Sequence, residues 1–334
     1  MNKKATINEV ARQANVSIAT VSRYLSNNGY PIKEETKEKI ELAIKALDYT
    51  PNYLGRMLKT NKSMDIGVII PTILNPYYPA VILGIENLAR EKGYNILLCN
   101  SKRDKTLQKQ YIDTLIQKQI KGLIISSIGD EETLFHDIVK KGIGLVSLEE
   151  EAPIDGVGQV LFNYQNGAYL AIRHLIEQGH RKIAFLTSPL NKKSRNEILQ
   201  GYSRCLNDYK LDYYKVIENK QENEYENGIM LAKLLMAEKH LPTAVLAVND
   251  MAAYGIMQYL MQNGIRIPED MSIIGFDDLI ISKMMNPPLT TVRQPSEMTG
   301  ELAASMLFDI LEGQQARKIV LEPELIIRAS TKKI

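Results

Sequence analysis

Apolar residues recur along this chain in two rhythms, and the change near residue 64 divides it. In residues 6–26, TINEVARQANVSIATVSRYLS, the spacing is helical. Ile7, Val10, Ala11 and Ala14 fall on one face and predict a first helix. Thr6 and Glu9, three apart, form a capping-box pair at its start. Asn15 breaks the stripe; Asn tolerates the left-handed conformation that a sharp interhelical turn needs. Ser17 can cap a second helix from Ile18 to about Leu25. Val21 and Leu25 face inward, leaving Ile18, Ala19, Thr20, Ser22 and Arg23 outside. A third stripe, Ile40, Ala43, Ile44 and Leu47, predicts a helix over 34–47 that closes a small core. Two short helices around a tight turn have the shape of a helix-turn-helix, whose second helix enters the DNA major groove. A plain helical hairpin with a solvated face is the bland reading of the same pattern.

Residues 52–63 follow Pro51 and mix Arg56, Lys59 and Lys62 with Leu54, Met57 and Leu58. One reading is a flexible linker. The other is a hinge that becomes helical only when DNA and a second subunit support it, with apolar side chains wedged into the minor groove. Gly55 weakens such a helix by roughly 1 kcal/mol relative to Ala.

From Asp65 the rhythm becomes strand, turn, helix, repeated. Strands at 66–70, 96–99, 123–126 and 145–148 alternate with helices at 78–92, 106–119 and 131–141. The stretch 149–158 interrupts them. A second series opens with a strand at 160–162. It continues with helices at 167–177, 197–208, 225–237 and 251–262 between strands at 183–187, near 216, at 244–248 and at 272–276. A helix at 297–311 and strands at 319–321 and 325–327 close it. This predicts an α/β body of two similar lobes with parallel sheets, with ligands binding at the strand C-terminal ends between them.

Net charge, +2 overall, becomes informative when divided. Residues 1–63 hold 11 Lys+Arg and 6 Asp+Glu, and the remainder 30 and 33. The cationic excess sits with the helical head, as phosphate attraction requires. Cys99 and Cys205 read as reduced core residues. No signal-peptide pattern follows Met1 and no apolar run of about 18 residues occurs, so a cytoplasmic protein without membrane contact is expected. His136, His174, His180 and His240 lack metal spacing, and no phosphate loop or nucleophile–base set appears. No catalytic residue, metal or cofactor is expected.

The head resembles the LacI/GalR family of bacterial transcription regulators. Thr6-Ile7-x-Glu9-Val10-Ala11, Val16-Ser17-x-Ala19-Thr20-Val21-Ser22-Arg23-x-Leu25, Tyr49-x-Pro51-Asn52 and Arg56-x-Leu58 carry that resemblance. In the body it rests on Ile66 to Pro71, Asn75-Pro76-Tyr77-Tyr78, Gly179-His180-Arg181, Asn249-Asp250, Gly275-Phe276-Asp277-Asp278 and Pro288-Leu289-Thr290-Thr291-Val292. It covers essentially the whole chain. It implies a DNA-binding domain over 1–51, a hinge helix over 52–63 and an effector-binding, dimerising body over 64–334 like the periplasmic binding proteins. It also implies a homodimer on near-palindromic operator DNA, controlled by a small sugar or sugar-derivative effector. Ile18, Ala19 and Arg23 then occupy base-reading positions. Thr20, Ser22 and Asn28 contact phosphate, and Leu58 is the minor-groove wedge. Thr6, Ser17 and Asn52, the caps, complete the candidate DNA-binding set. Ile198 stands where the family carries an arginine that grips sugar hydroxyls.

Candidate effector residues at strand ends are Tyr77, Asn100, Asp104 and Glu149 from the first half, and Phe162, Asn249 and Asp277 from the second, with Ile198 beside them. Asn and Asp bridge adjacent hydroxyls, and aromatic rings stack on a sugar's apolar face. With arginine missing at 198, either the ligand is gripped differently or Lys192, Lys193 or Arg195 supplies a cation, in which case an anionic sugar fits. These three can equally be surface charge. A transport solute-binding protein is the alternative function. An α/β enzyme using Asp277-Asp278 and Asn249-Asp250 is the third.

Overall fold

The computed structural model describes residues 5–26, 31–50, 64–126, 132–149, 151–152, 154–221 and 223–334. The chain forms two compact units, Met1–Ser63 and Met64–Ile334. The 52–63 stretch, with Asn52, Gly55 and Leu58, and also Asn28, lie outside the described residues.

In the first unit, α1 (Ile7–Gln13), α2 (Ile18–Ser26) and α3 (Glu34–Ala46) pack around Val10, Ala11, Ala14, Val21, Ile40 and Ala43. Both halves of the capping box form. Thr6 N donates to Glu9 Oε2 at 2.7 Å, and Glu9 N to Thr6 Oγ1 at 3.4 Å. Asn15 takes φ 54°, the left-handed turn its side chain tolerates. Tyr24 Oη donates to Glu41 Oε1 at 2.5 Å and ties α2 to α3.

The second unit holds two six-stranded sheets. The first contains β1 (Asp65–Ile70), β2 (Asn95–Asn100), β3 (Gly122–Ser126), β4 (Gly144–Leu148), β5 (Val157–Phe162) and β11 (Lys318–Leu321). Their order is β11-β5-β4-β3-β1-β2, all parallel. The second contains β6 (Ile183–Thr187), β7 (Lys215–Glu218), β8 (Ala244–Ala247), β9 (Ser272–Asp277), β10 (Thr290–Arg293) and β12 (Glu324–Ile326). Their order is β12-β10-β9-β8-β6-β7, parallel except for the β10–β12 pair. The helices are α4 (Tyr77–Glu91), α5 (Lys105–Gln117), α6 (Glu132–Lys140), α7 (Tyr164–Glu177), α8 (Lys193–Asp208), α9 (Glu224–Met236), α10 (Asp250–Gln262) and α11 (Ser296–Leu311).

Two expectations are corrected. The strand at 160–162 does not open the second lobe. It is the end of β5 and pairs β4 in the first sheet, so Phe162 belongs to the first lobe's sheet. Likewise α11 packs on α4, and β11 pairs β5, so the chain crosses between lobes three times. Strand β10 is not predicted by the sequence pattern. Within and beyond α10, Tyr254 and Met257 are core, whereas Met261 and Met284 are exposed.

Helices α4 and α11 cross backbone against backbone. A Cβ at Gly84 would lie 2.1 Å from Glu297 O, and one at Gly300 2.0 Å from Val81 O. Neither carbonyl can move without shifting its helix, so glycine is what permits the approach. Gly84→Ala is therefore expected to destabilise the body by about 1–3 kcal/mol through overpacking. Urea unfolding checks this; an unchanged midpoint means the helices part at no cost.

Candidate functional site

The head presents α2 outward. Ile18 is 48% exposed, Ala19 and Arg23 are exposed, and Thr20 and Ser22 are half-buried. Ser17 Oγ accepts from Thr20 N at 3.1 Å and lies 2.8 Å from Thr20 Oγ1, so the two hydroxyls fix the first turn. Thr6 is exposed, with its hydroxyl donating to Glu9 Oε2 at 3.0 Å. An apolar tip and a guanidinium thus share a solvent-facing surface on a rigid three-helix core. Asn28, Asn52 and Leu58 lie outside the described residues.

In the body, a cleft opens between the sheets, where strand ends and helix first turns converge. The first lobe supplies Asn75, Tyr77 and Tyr78 at the start of α4, Arg103 after β2 and Glu149 after β4. The second supplies Tyr164, the α8 start with Lys192, Ser194, Arg195 and Ile198, and Glu224 at the start of α9. Val248 and Asn249 follow β8, Asp277 ends β9 and Gln294 follows β10.

Hydrogen bonds organise these groups. Asn75 Nδ2 donates to Glu224 Oε2 at 2.8 Å, and Arg103 pairs with the other Glu224 oxygen. Burial is the largest influence on Arg103 and acts to lower its pKa, but the Glu224 charge and hydrogen bond, with Tyr78 and Glu149, together outweigh it and raise it. Glu149 Oε2 accepts from Ser126 Oγ at 2.7 Å and Tyr78 Oη at 3.3 Å. Gln294 Nε2 donates to Asp277 Oδ1 at 2.7 Å. Asp277 Oδ2, Gln294 Oε1 and Arg103 Nε are buried without a partner among the described residues. Burial, then Asp250, Glu224 and Glu149, push the Asp277 carboxyl well above the usual range. Burial likewise lifts the hydroxyls of Tyr77, Tyr78 and Tyr164, keeping them neutral donors. No group of His, Cys, Asp and Glu able to hold a metal occurs among the described residues.

Tyr77, Glu149, Ile198, Asn249 and Asp277 are brought together as expected from strand-end placement. Three other candidates do not line the cleft. Asn100 Oδ1 accepts from Lys102 N at 3.2 Å, closing a local turn. Asp104 caps α5, accepting from Thr106 N at 2.7 Å and Leu107 N at 3.1 Å. Phe162 is buried edge-on against Tyr164 and Phe276. Of the three cations left open, Lys192 and Arg195 line the cleft, whereas Lys193 pairs with Glu151 at 2.5 Å. Sequence reasoning passed over Arg103, Glu224 and Gln294, which carry no local signal. Asn75 and Tyr78 flank Tyr77 within the Asn75-Pro76-Tyr77-Tyr78 motif.

A helix-turn-helix head and a two-lobed body with a polar cleft define a class, the ligand-controlled DNA-binding regulators. Residues 6–52 match the model of the bacterial regulatory proteins, lacI family, and residues 172–331 that of a periplasmic binding protein-like domain. The transcriptional repressor PurR of Mannheimia succiniciproducens is 33% identical over 99% of both chains. The ribose operon repressor of Haemophilus influenzae is 32% identical over 98% of both. A lac repressor dimer bound to operator and an anti-inducer is similar at TM-score 0.85 and 25% identity, covering 99% of this chain and 100% of that one. A LacI family regulator from Enterococcus faecium with bound ribose gives TM-score 0.74 and 26% identity over 81% of this chain and 99% of its own. This chain belongs to the LacI family. It is an effector-binding transcriptional regulator, which sets aside the transport alternative. Among the described residues no helix is long and apolar enough to cross a membrane.

Beside the cleft, Asp250 is fully buried and accepts from Ser282 Oγ and Thr291 Oγ1, each at 2.5 Å, and from Leu279 N at 2.9 Å. Burial still raises its pKa to about 6. A carboxyl whose folded pKa is raised contributes stability that is fully present below its unfolded value, about 4, and lost as pH rises through about 6. The stability difference between wild type and Asp250→Asn is therefore expected to shrink from pH 4 to 7. Urea midpoints at stepped pH read it, and a pH-independent difference contradicts it.

Proposed function

We propose that the protein represses a carbohydrate-utilisation operon as a cytoplasmic homodimer on near-palindromic operator DNA, and that a sugar-like effector in the cleft controls it. On this reading residues 1–51 read DNA, 52–63 form the hinge and 64–334 sense the effector. The observation that carries the effector reading is chemical. Asp277 Oδ2 and Gln294 Oε1 are buried oxygens without partners, on side chains that line a cleft between two lobes. A buried polar oxygen left unpaired is costly, and sugar hydroxyls, which both donate and accept, supply the missing partners. Asn249 adds a bridging amide; Tyr77, Tyr164 and Ile198 add apolar surface. The ribose-bound Enterococcus relative and a cellobiose complex of the regulator CelR support the same ligand class. The cleft binds without turnover, since the relatives are repressors and Glu149 and Glu224 are held in local and bridging bonds. Incubation with sugars and a search for products tests that part.

In the head, Arg23 makes bidentate contact to a guanine edge, while Ile18 and Ala19 give apolar contact such as to a thymine methyl. Thr20, Ser22 and Asn28 hold phosphates, Thr6, Ser17 and Asn52 set the helix starts that meet the backbone, and Leu58 wedges the minor groove.

Two outcomes are expected. Arg23→Ala loses roughly 1–3 kcal/mol of specific binding and relaxes preference at one base per half-site. A binding-site selection with unchanged discrimination overturns that assignment. Asp277→Ala keeps operator binding in a gel shift but loses the effector response. A thermal-shift screen of neutral and charged sugars supplies the ligand, and a variant that still responds removes Asp277 from the site.

A further inference from the structure

The cleft has two unlike ends, and the strand orders define them. β11 and β12 are the sheet edges at one end, and β2 and β7 at the other. At the first end the chain itself joins the lobes. It crosses after β5, after β10 and between β11 and β12. Asn163 Nδ2 donates to Glu322 Oε1 at 3.1 Å, so two of these crossovers are also tied to each other. Gln294 stands in the crossover after β10, and its Nε2 donates to Asp277 Oδ1 at 2.7 Å. The unpartnered oxygens Asp277 Oδ2 and Gln294 Oε1 therefore belong to this covalent end.

At the other end the lobes meet through side chains. Arg103 follows β2, Asn75 follows the neighbouring β1, and Glu224 follows β7. Arg103 pairs with one Glu224 oxygen, and Asn75 Nδ2 donates to the other at 2.8 Å. The backbone aims each of the three. Lys102 and Arg103 take φ 51° and 59°, a costly conformation for residues other than glycine, and Arg103 N donates to Pro71 O at 3.0 Å. Asn75 Oδ1 accepts from Tyr77 N at 3.0 Å, which leaves its amide for Glu224. Asn223 caps α9, accepting from Tyr225 N at 2.9 Å, and so fixes Glu224 in the first turn. A left-handed turn and two local side-chain caps thus hold one contact across the mouth of the cleft, opposite the crossovers.

We propose that Arg103, Asn75 and Glu224 form a latch on the cleft mouth that limits the effector to a single sugar ring, with Glu224 the size-determining residue. A ring seated on Asp277 and Gln294 extends toward the mouth only as far as the clasp. A second ring joined on that side would have to take the place of the Glu224 contacts. Entry requires the clasp to part while the lobes turn about the crossovers, the usual closure of two lobes around a ligand. This rests on the sugar reading above and deepens it by setting the size of the ligand.

Calorimetric titration of the full chain tests the size limit, with ribose, arabinose, xylose, glucose and galactose set against xylobiose, cellobiose, maltose and lactose. The tightest single sugar is expected to bind about tenfold or more tightly than any disaccharide. Arg103→Ala combined with Glu224→Ala removes the clasp without leaving one of its charges unpaired, and is expected to narrow that gap by about threefold or more. Glu224→Gln keeps the side chain's size and weakens the clasp, so stopped-flow association of the tightest sugar is expected to quicken by about threefold or more. A disaccharide that binds the wild type as tightly as a single sugar overturns the latch and leaves the sugar reading standing. So does a gap or an association rate that the variants leave unchanged. If no sugar binds, both fall.

Discussion

Glu224 stands at the start of α9 in the second lobe, and both its carboxylate oxygens are used on the first lobe. One accepts from Asn75 at 2.8 Å, and the other pairs with Arg103. This clasp spans the cleft and sets how far apart Tyr77 and Tyr78 stand from the α8 start. Its exposure is low, 13% for Glu224 and 25% for Arg103, so desolvation offsets much of the attraction. Such a pair contributes little net stability yet is costly to break on one side alone. It therefore specifies one lobe arrangement more than it stabilises it. A ligand that offers Arg103 or Glu224 a replacement partner can exchange for the clasp at small net cost, which is what a two-state body requires. A further ionic tie across the lobes, Glu151 between Lys193 and Lys318, is half-exposed and contributes at most about 1 kcal/mol.

The elements of the body were legible because burial leaves a period in the sequence. Strands such as 183–187 read as continuous apolar runs because helices cover both faces of a parallel sheet. What periodicity does not carry is the partner. The run ending in Phe162 looks the same whether it pairs β4 or β6, and only the tertiary structure decides for β4. The same holds for β11. Strand β10 escaped because four residues between Pro288 and Pro295, two of them threonines, give too short a run to separate from a loop. In the head, by contrast, Thr6, Glu9 and Asn15 act within a few residues of themselves, so their roles could be read directly.

The same distinction explains the site. Tyr77, Glu149, Asn249 and Asp277 were found because a general rule places ligands at strand C-terminal ends. Asn100 and Asp104 satisfy that rule equally well, and their side chains were instead taken by the local turn and the α5 cap. Arg103 and Glu224 matter through a contact 121 residues apart in sequence, which no window reveals. Arg195 lies between these cases. Its spacing of three from Ile198 puts both on one face of α8, so a cation near that face was foreseeable, while its entry into the cleft was not.

The Asp277–Asp278 turn shows how the far end of the chain reaches the site. Both residues have positive φ, 127° and 60°, a strained conformation for side chains other than glycine. Asp278 holds the turn by ion pairs to Arg293 at 2.8 Å and Arg328 at 2.5 Å. Gly275 contributes from within β9, since a Cβ there would lie 2.2 Å from the Asp250 carboxylate that braces the following loop. Arg328 donates from N to Thr290 Oγ1 at 2.9 Å and from Nη1 to Leu289 O at 2.8 Å, and the residues after it are anchored as well. Ser330 Oγ donates to Ile273 O at 2.6 Å, Thr331 meets the His174 ring at 3.1 Å, and Lys332 O meets the His180 ring at 3.2 Å. Burial holds both imidazoles below their ordinary pKa, so these contacts join neutral rings. The strain that aims Asp277 into the cleft is therefore sustained by residues 328–332, more than 50 positions away in sequence. His174 and His180, which carry no metal spacing, thus help to hold the segment that supports this turn.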